Sequence, residues 1–92
     1  MSIVRTVQKL AEMLIATDEF VNFKTLRKEV LNNKKYSAML NECEQNQNME
    51  QYAELQSVPE LNSYFTAERE FGMMVGSVLQ TMHDIINDSI NR

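Results

Sequence analysis

Any chemistry in this chain has to start from His83 and Cys43, because its 92 residues include one histidine and one cysteine. A histidine works as a general base when a second group orients it and a substrate proton lies within reach. His83 has only Asp84 beside it, near the end of a helical pattern, and reads as surface decoration. A Glu-x-x-His pair of the kind that builds a di-iron site in a helical bundle needs a second histidine that the sequence lacks. Cys43 lacks the second thiol of a thioredoxin-like or metal-binding spacing, and its place on a short apolar stripe makes it a core residue first. Neither a glycine-rich phosphate loop nor a nucleophile elbow occurs. These residue types predict a protein that is not an enzyme and holds no cofactor or metal. An active site shared between two chains would need His, Arg and carboxylates clustered on the apolar stripe, and the sequence does not place them there.

Charge offers a binding chemistry instead. Lys24, Arg27, Lys28, Lys34 and Lys35 form the one concentration of positive charge; residues 1–40 carry +3 and residues 41–92 carry −7, within a net charge of −4. With Asn33 as a cap, Lys34 and Lys35 fall in a first helical turn, where the helix dipole disfavours cations. Asp84 and Asp88 have the mirror-image fault, since they stand four apart near a helix carboxyl end. Both faults would be relieved by contact between the basic cluster and the acidic tail, within or between chains. The plainer alternative is two solvated faces screened by salt. Nucleic-acid binding through the basic cluster is the competing function, but a pI near 4.9 disfavours a phosphate partner.

Gly72 and Gly76 carry the most informative spacing. Each costs a helix interior roughly 1 kcal/mol relative to Ala, and two of them four apart imply an offsetting close approach of another backbone. That crossing is expected to serve assembly, with internal packing or glycines that are merely tolerated as the alternative. Met73 and Met74, two of the seven methionines, fall near the edge of the same helical stripe and suit adaptable contact with another chain.

The elements that must position these residues are helices. Residues 57–92 repeat apolar side chains in steps of three and four at Leu61, Tyr64/Phe65, Phe71, Val75, Val78/Leu79, Met82, Ile85/Ile86 and Ile90. Ser57-Val58-Pro59-Glu60 supplies a capping-box pattern at its start. Such a helix would be a rod of roughly 50 Å, against about 25–30 Å for a domain of this size, so a second copy is expected to cover it. Upstream, residues 2–16 read as a first helix with Ile3, Val7, Leu10 and Leu14 on one face. Thr17 caps a second helix that carries Phe20, Phe23, Leu26 and Val30 and stops at Asn32-Asn33, Asn tolerating the left-handed conformation. A third helix is expected over residues 33–56 with a weak polar middle around Gln45-Asn46-Gln47-Asn48; a break near Gln45 is the alternative.

With 2 Gly and 1 Pro, a turn-rich all-β fold is disfavoured. The expected fold is a single all-α domain over residues 1–92, about four helices with a long C-terminal amphipathic helix, a bundle completed by dimerisation. Leu61, Phe65, Gly72, Val75, Gly76, Leu79, Met82 and Ile86 are the expected interface of the homodimer. Lys24, Arg27, Lys28, Lys34, Lys35, Asp84 and Asp88 are the expected electrostatic contact. The longest nearly uncharged apolar stretch, Phe71 to Leu79, falls far short of the roughly twenty residues that span a bilayer. One cysteine and no signal-peptide pattern point to the cytoplasm.

Thr17-Asp18-Glu19-Phe20 with Phe23-Lys24, Met39-Leu40 after Asn32-Asn33, and Val58-Pro59-Glu60-Leu61 leading into Tyr64-Phe65-x-Ala67-Glu68 give the chain a further reading. Over nearly its whole length it resembles the YlbF/YmcA family of bacterial control-of-competence regulators. The resemblance implies a small cytoplasmic all-α protein that associates with itself or with related chains. It also implies a non-enzymatic regulatory or adaptor role of the kind linked to competence, sporulation, biofilm formation and messenger RNA processing. Two departures limit the transfer. The segment between Cys43 and Val58 is shorter than the family's usual connection, and the tail lacks the clustered cysteines with which some relatives suit an iron–sulfur centre.

Overall fold

Helix boundaries follow local capping chemistry. A computed structural model describes residues 2–47 and 49–92, and among them five helices and no strand are present. Helix α1 (Ile3–Ile15) starts at Ser2, whose hydroxyl accepts the N–H of Arg5. Helix α2 (Asp18–Asn32) starts at Thr17, whose Oγ1 accepts the N–H of Phe20 at 3.3 Å and donates to the Leu14 carbonyl at 2.6 Å. One hydroxyl thus closes α1 and opens α2, and Asp18 and Glu19 in the first turn complement the dipole.

Three sequence expectations are corrected here. Asn33 ends α2 in extended rather than left-handed backbone, because it also caps helix α3 (Lys34–Asn46): its side-chain oxygen accepts the N–H of Tyr36 at 3.1 Å. The third helix does not run on to residue 56. Gln47 takes the left-handed conformation, φ 49°, and its N–H donates to the Cys43 carbonyl, so a separate helix α4 (Met49–Gln56) follows and the helices number five, not four. Asn48, part of the polar patch, lies outside the described residues. Finally, Ser57 does not cap the long helix α5 (Pro59–Ile90). Its hydroxyl donates to the Glu54 carbonyl at 2.6 Å and closes α4, and α5 opens on Val58 with Pro59 supplying a helical φ and no orphan N–H.

The core occupies one end of the molecule. Val30 of α2, Leu40 and Cys43 of α3, Leu55 of α4 and Leu61, Tyr64 and Phe65 of α5 are buried together, flanked by Phe23, Leu26, Tyr36, Met39 and Val58. Burying each of the larger chains is worth about 1.5–3 kcal/mol. Ring contacts fix the direction of α2 against α5: Phe20 meets Phe71 at 5.2 Å between centroids, Phe23 meets Tyr64 at 5.7 Å, and Arg27 reaches Tyr64. The two helices are therefore antiparallel, and α2 begins level with Phe71. Beyond that level α5 runs on past the core, and the molecule measures 53 × 25 × 20 Å with a radius of gyration of 17.2 Å.

Candidate interaction surface

The apolar stripe of α5 changes partners at Phe71. Steps of three and four place Val75, Val78, Leu79, Met82, Ile85, Ile86 and Ile90 on the same face as Leu61, Tyr64 and Phe65. The first part of that face is sealed, with Leu61, Tyr64 and Phe65 each no more than 6% exposed. Along the second part Leu79, Met82, Ile85, Ile86 and Ile90 are 46–72% exposed, and Val75 and Val78 are half-buried. An apolar stripe on a helix ordinarily faces a core. This one runs past the end of it.

Helix α1 is in the same condition. Its apolar face is strongly developed, yet none of its residues is buried, and Ile3, Val4 and Val7 are more than half exposed. Since α2 starts level with Phe71, α1 departs where the uncovered part of the α5 stripe begins. Leu10 and Leu14, further along the same face of α1, are half-buried, so its cover is partial.

The expected interface residues fall into two groups. Leu61 and Phe65 are taken up by the chain's own core and have no surface left to offer a second chain. Val75, Leu79, Met82 and Ile86 lie on the uncovered stripe. Gly72 and Gly76 are exposed, and a Cβ built on either would meet nothing within 4 Å, so among the described residues none makes the close approach that would offset their cost in a helix. Internal packing is thereby removed as the reason for them.

The charged residues do not come together within the chain. Lys24, Lys28, Lys34 and Lys35 are exposed around the core end, while Asp84 and Asp88 stand on the far part of α5. Asp84 accepts a hydrogen bond from the Gln80 amide at 2.9 Å, and Asp88 pairs with Arg92 one turn later at 2.6 Å. Arg27 has a different role from the lysines. Its Nη1 donates to the Tyr64 hydroxyl at 2.6 Å, and that hydroxyl donates to the Glu68 carboxylate at 3.2 Å. Burial raises the Tyr64 pKa, Glu68 raises it further, and Arg27 opposes them.

The one sequence signal for this chain of hydrogen bonds is the spacing of Tyr64 and Glu68 at i and i+4, which the periodicity of the apolar stripe overshadows. A cavity of about 270 Å³ opens beside it, lined by Leu40, Cys43, Met49, Tyr52, Phe65 and Glu68 among others. It forms where α3 and α4 diverge at Gln47, a turn that the sequence places only as an alternative. His83 is exposed on α5, away from Cys43 at the core end.

Among the described residues, no helix is long and apolar enough to cross a membrane. Comparison with protein-family models, with curated proteins and with solved structures gives no match for the chain.

Proposed function

We propose that this protein is a cytoplasmic, non-enzymatic adaptor or regulator that acts by binding other protein chains, and that its basic state is a homodimer formed through the distal part of α5. The observation that carries this reading is the continuous apolar face from Val75 to Ile90, sealed at one end by the chain's own core and open at the other. Monomeric proteins rarely leave contiguous apolar patches beyond a few hundred Å². Resemblance to the YlbF/YmcA regulators agrees with the reading, as those proteins associate with themselves or with related chains. Lys24, Lys28, Lys34 and Lys35, exposed on the other end, would then be free to meet an acidic protein partner.

Solution mass by light scattering over a concentration series tests the proposal. A dimer is expected, converted to a monomer of unchanged helicity by Leu79→Asp with Met82→Asp. A native chain that is monomeric at every concentration would overturn it. Nucleic-acid binding by the lysines is the competing outcome, revealed by affinity for RNA or DNA that falls steeply with salt and vanishes when Lys34 and Lys35 become Glu.

A further inference from the structure

The cavity beside Tyr64 has a floor and a rim of different chemistry. We infer that it binds a small organic cation, an ammonium group on an aromatic or branched alkyl body of about ten non-hydrogen atoms in all. This stands apart from the dimer reading, because the cavity lies at the core end of the molecule and none of its lining residues belongs to the uncovered stripe. Three observations carry it.

Three helices converge on an apolar floor. Leu40, Cys43 and Glu44 follow at i, i+3 and i+4 on α3, Tyr52 comes from α4, and Tyr64, Phe65 and Glu68 share one side of α5. Leu40, Cys43, Tyr64 and Phe65 are each no more than 6% exposed, and the Tyr52 and Phe65 rings meet at 4.8 Å between centroids. The volume of about 270 Å³ exceeds the ~150 Å³ in which an apolar protein cavity holds benzene, so a ring with a short chain fits.

The rim is anionic. Glu44 and Glu68 are the charged residues that line the cavity, and both are exposed and therefore stand at its mouth. The Tyr64 hydroxyl donates to the Glu68 carboxylate at 3.2 Å, which holds that carboxylate beside the opening. Among the described residues, nothing pairs with the Glu44 carboxylate. Arg27, which donates to the same Tyr64 hydroxyl from α2, does not line the cavity.

Backbone charge has the same sign. Helix α3 ends at Gln47, another lining residue, so the negative end of its dipole lies at the cavity, and its last turn contains no basic side chain. An anion would meet like charge here, and a neutral molecule would leave the carboxylates unused. A cation pairs with both carboxylates and is attracted by the aromatic walls as well.

Three probes of similar size and different charge test the site: phenethylamine, cationic at neutral pH, phenethyl alcohol and phenylacetate. Each is titrated into the full chain at low salt, where exposed carboxylates are least screened, and followed by NMR. The amine is expected to bind about tenfold more tightly than the alcohol, with shifts centred on Leu40, Cys43, Tyr52 and Phe65, and phenylacetate not to bind. Glu44→Gln combined with Glu68→Gln keeps side-chain size and should lower the amine to the affinity of the alcohol, leaving the alcohol unchanged. Equal binding of amine and alcohol by the native chain would overturn the cation assignment, whether or not the double variant folds. No binding of any probe at millimolar concentration, or shifts centred elsewhere on the chain, would overturn the site. Undiminished preference for the amine in a folded double variant would overturn the role of the two carboxylates.

Discussion

At the scale of single residues, Tyr64 joins the two long helices chemically. Its ring is buried against Phe23 and Phe65, and its hydroxyl links Arg27 of α2 to Glu68 of α5. Tyr64→Phe keeps the ring and removes the link. It should cost about 1 kcal/mol in urea unfolding at neutral pH, a modest loss because Arg27 and Glu68 are exposed and water can replace the hydroxyl. The pH dependence has a definite sign. The phenol's folded pKa lies above its usual 10.0, so its contribution is complete below about pH 10 and is lost as pH rises from there through the folded value. Native protein should therefore lose more stability than Tyr64→Phe above about pH 10, and parallel alkaline profiles would count against the assignment. Much of this residue's role is legible in the sequence, where Tyr64 stands on the apolar face. Its pairing with Arg27 is not, because the two are far apart in sequence and only the antiparallel packing of α2 on α5 sets them level. Charge alone groups Arg27 with the lysines.

At the scale of elements, capping chemistry decides where helices stop. Thr17 is readable because a β-hydroxyl followed by Asp18 and Glu19 has few other uses. The α3–α4 break is weaker in sequence, since Gln is neither a helix breaker nor a common left-handed residue. Gln47 holds φ 49° at a cost of roughly 1–2 kcal/mol that Gly would not incur. Gln47→Gly should raise the midpoint of thermal unfolding, and a lower midpoint would show that the Gln side chain contributes more than the backbone costs. Ser57 shows how a correct motif can be assigned to the wrong element: a hydroxyl between two helices can close the one before or open the one after. Here the Glu54 carbonyl is the nearer partner.

At the scale of the whole molecule, the chain is a small core with an apolar rod extending from it. Its radius of gyration of 17.2 Å compares with about 12 Å for a compact domain of this length. Stability should be distributed just as unevenly. Backbone amides of α5 between Leu61 and Phe71 should show strong protection from hydrogen exchange at all concentrations. Those from Val75 to Ile86 should be weakly protected in dilute solution and gain protection as concentration rises. Uniform protection along α5 in a dilute monomer would contradict this division. The sequence by itself determined the all-α class, the first two helices and the long last one, because helical periodicity and caps are local and survive without knowledge of neighbours. It also marked the stripe and the two glycines, but could not divide them between inner and outer roles. Only the tertiary structure decided that Leu61 and Phe65 belong to the core while Leu79 and Ile86 remain open. The physical reason is length: α2 reaches back along α5 only as far as Phe71, and one continuous apolar face is therefore covered for part of its length and left uncovered for the rest.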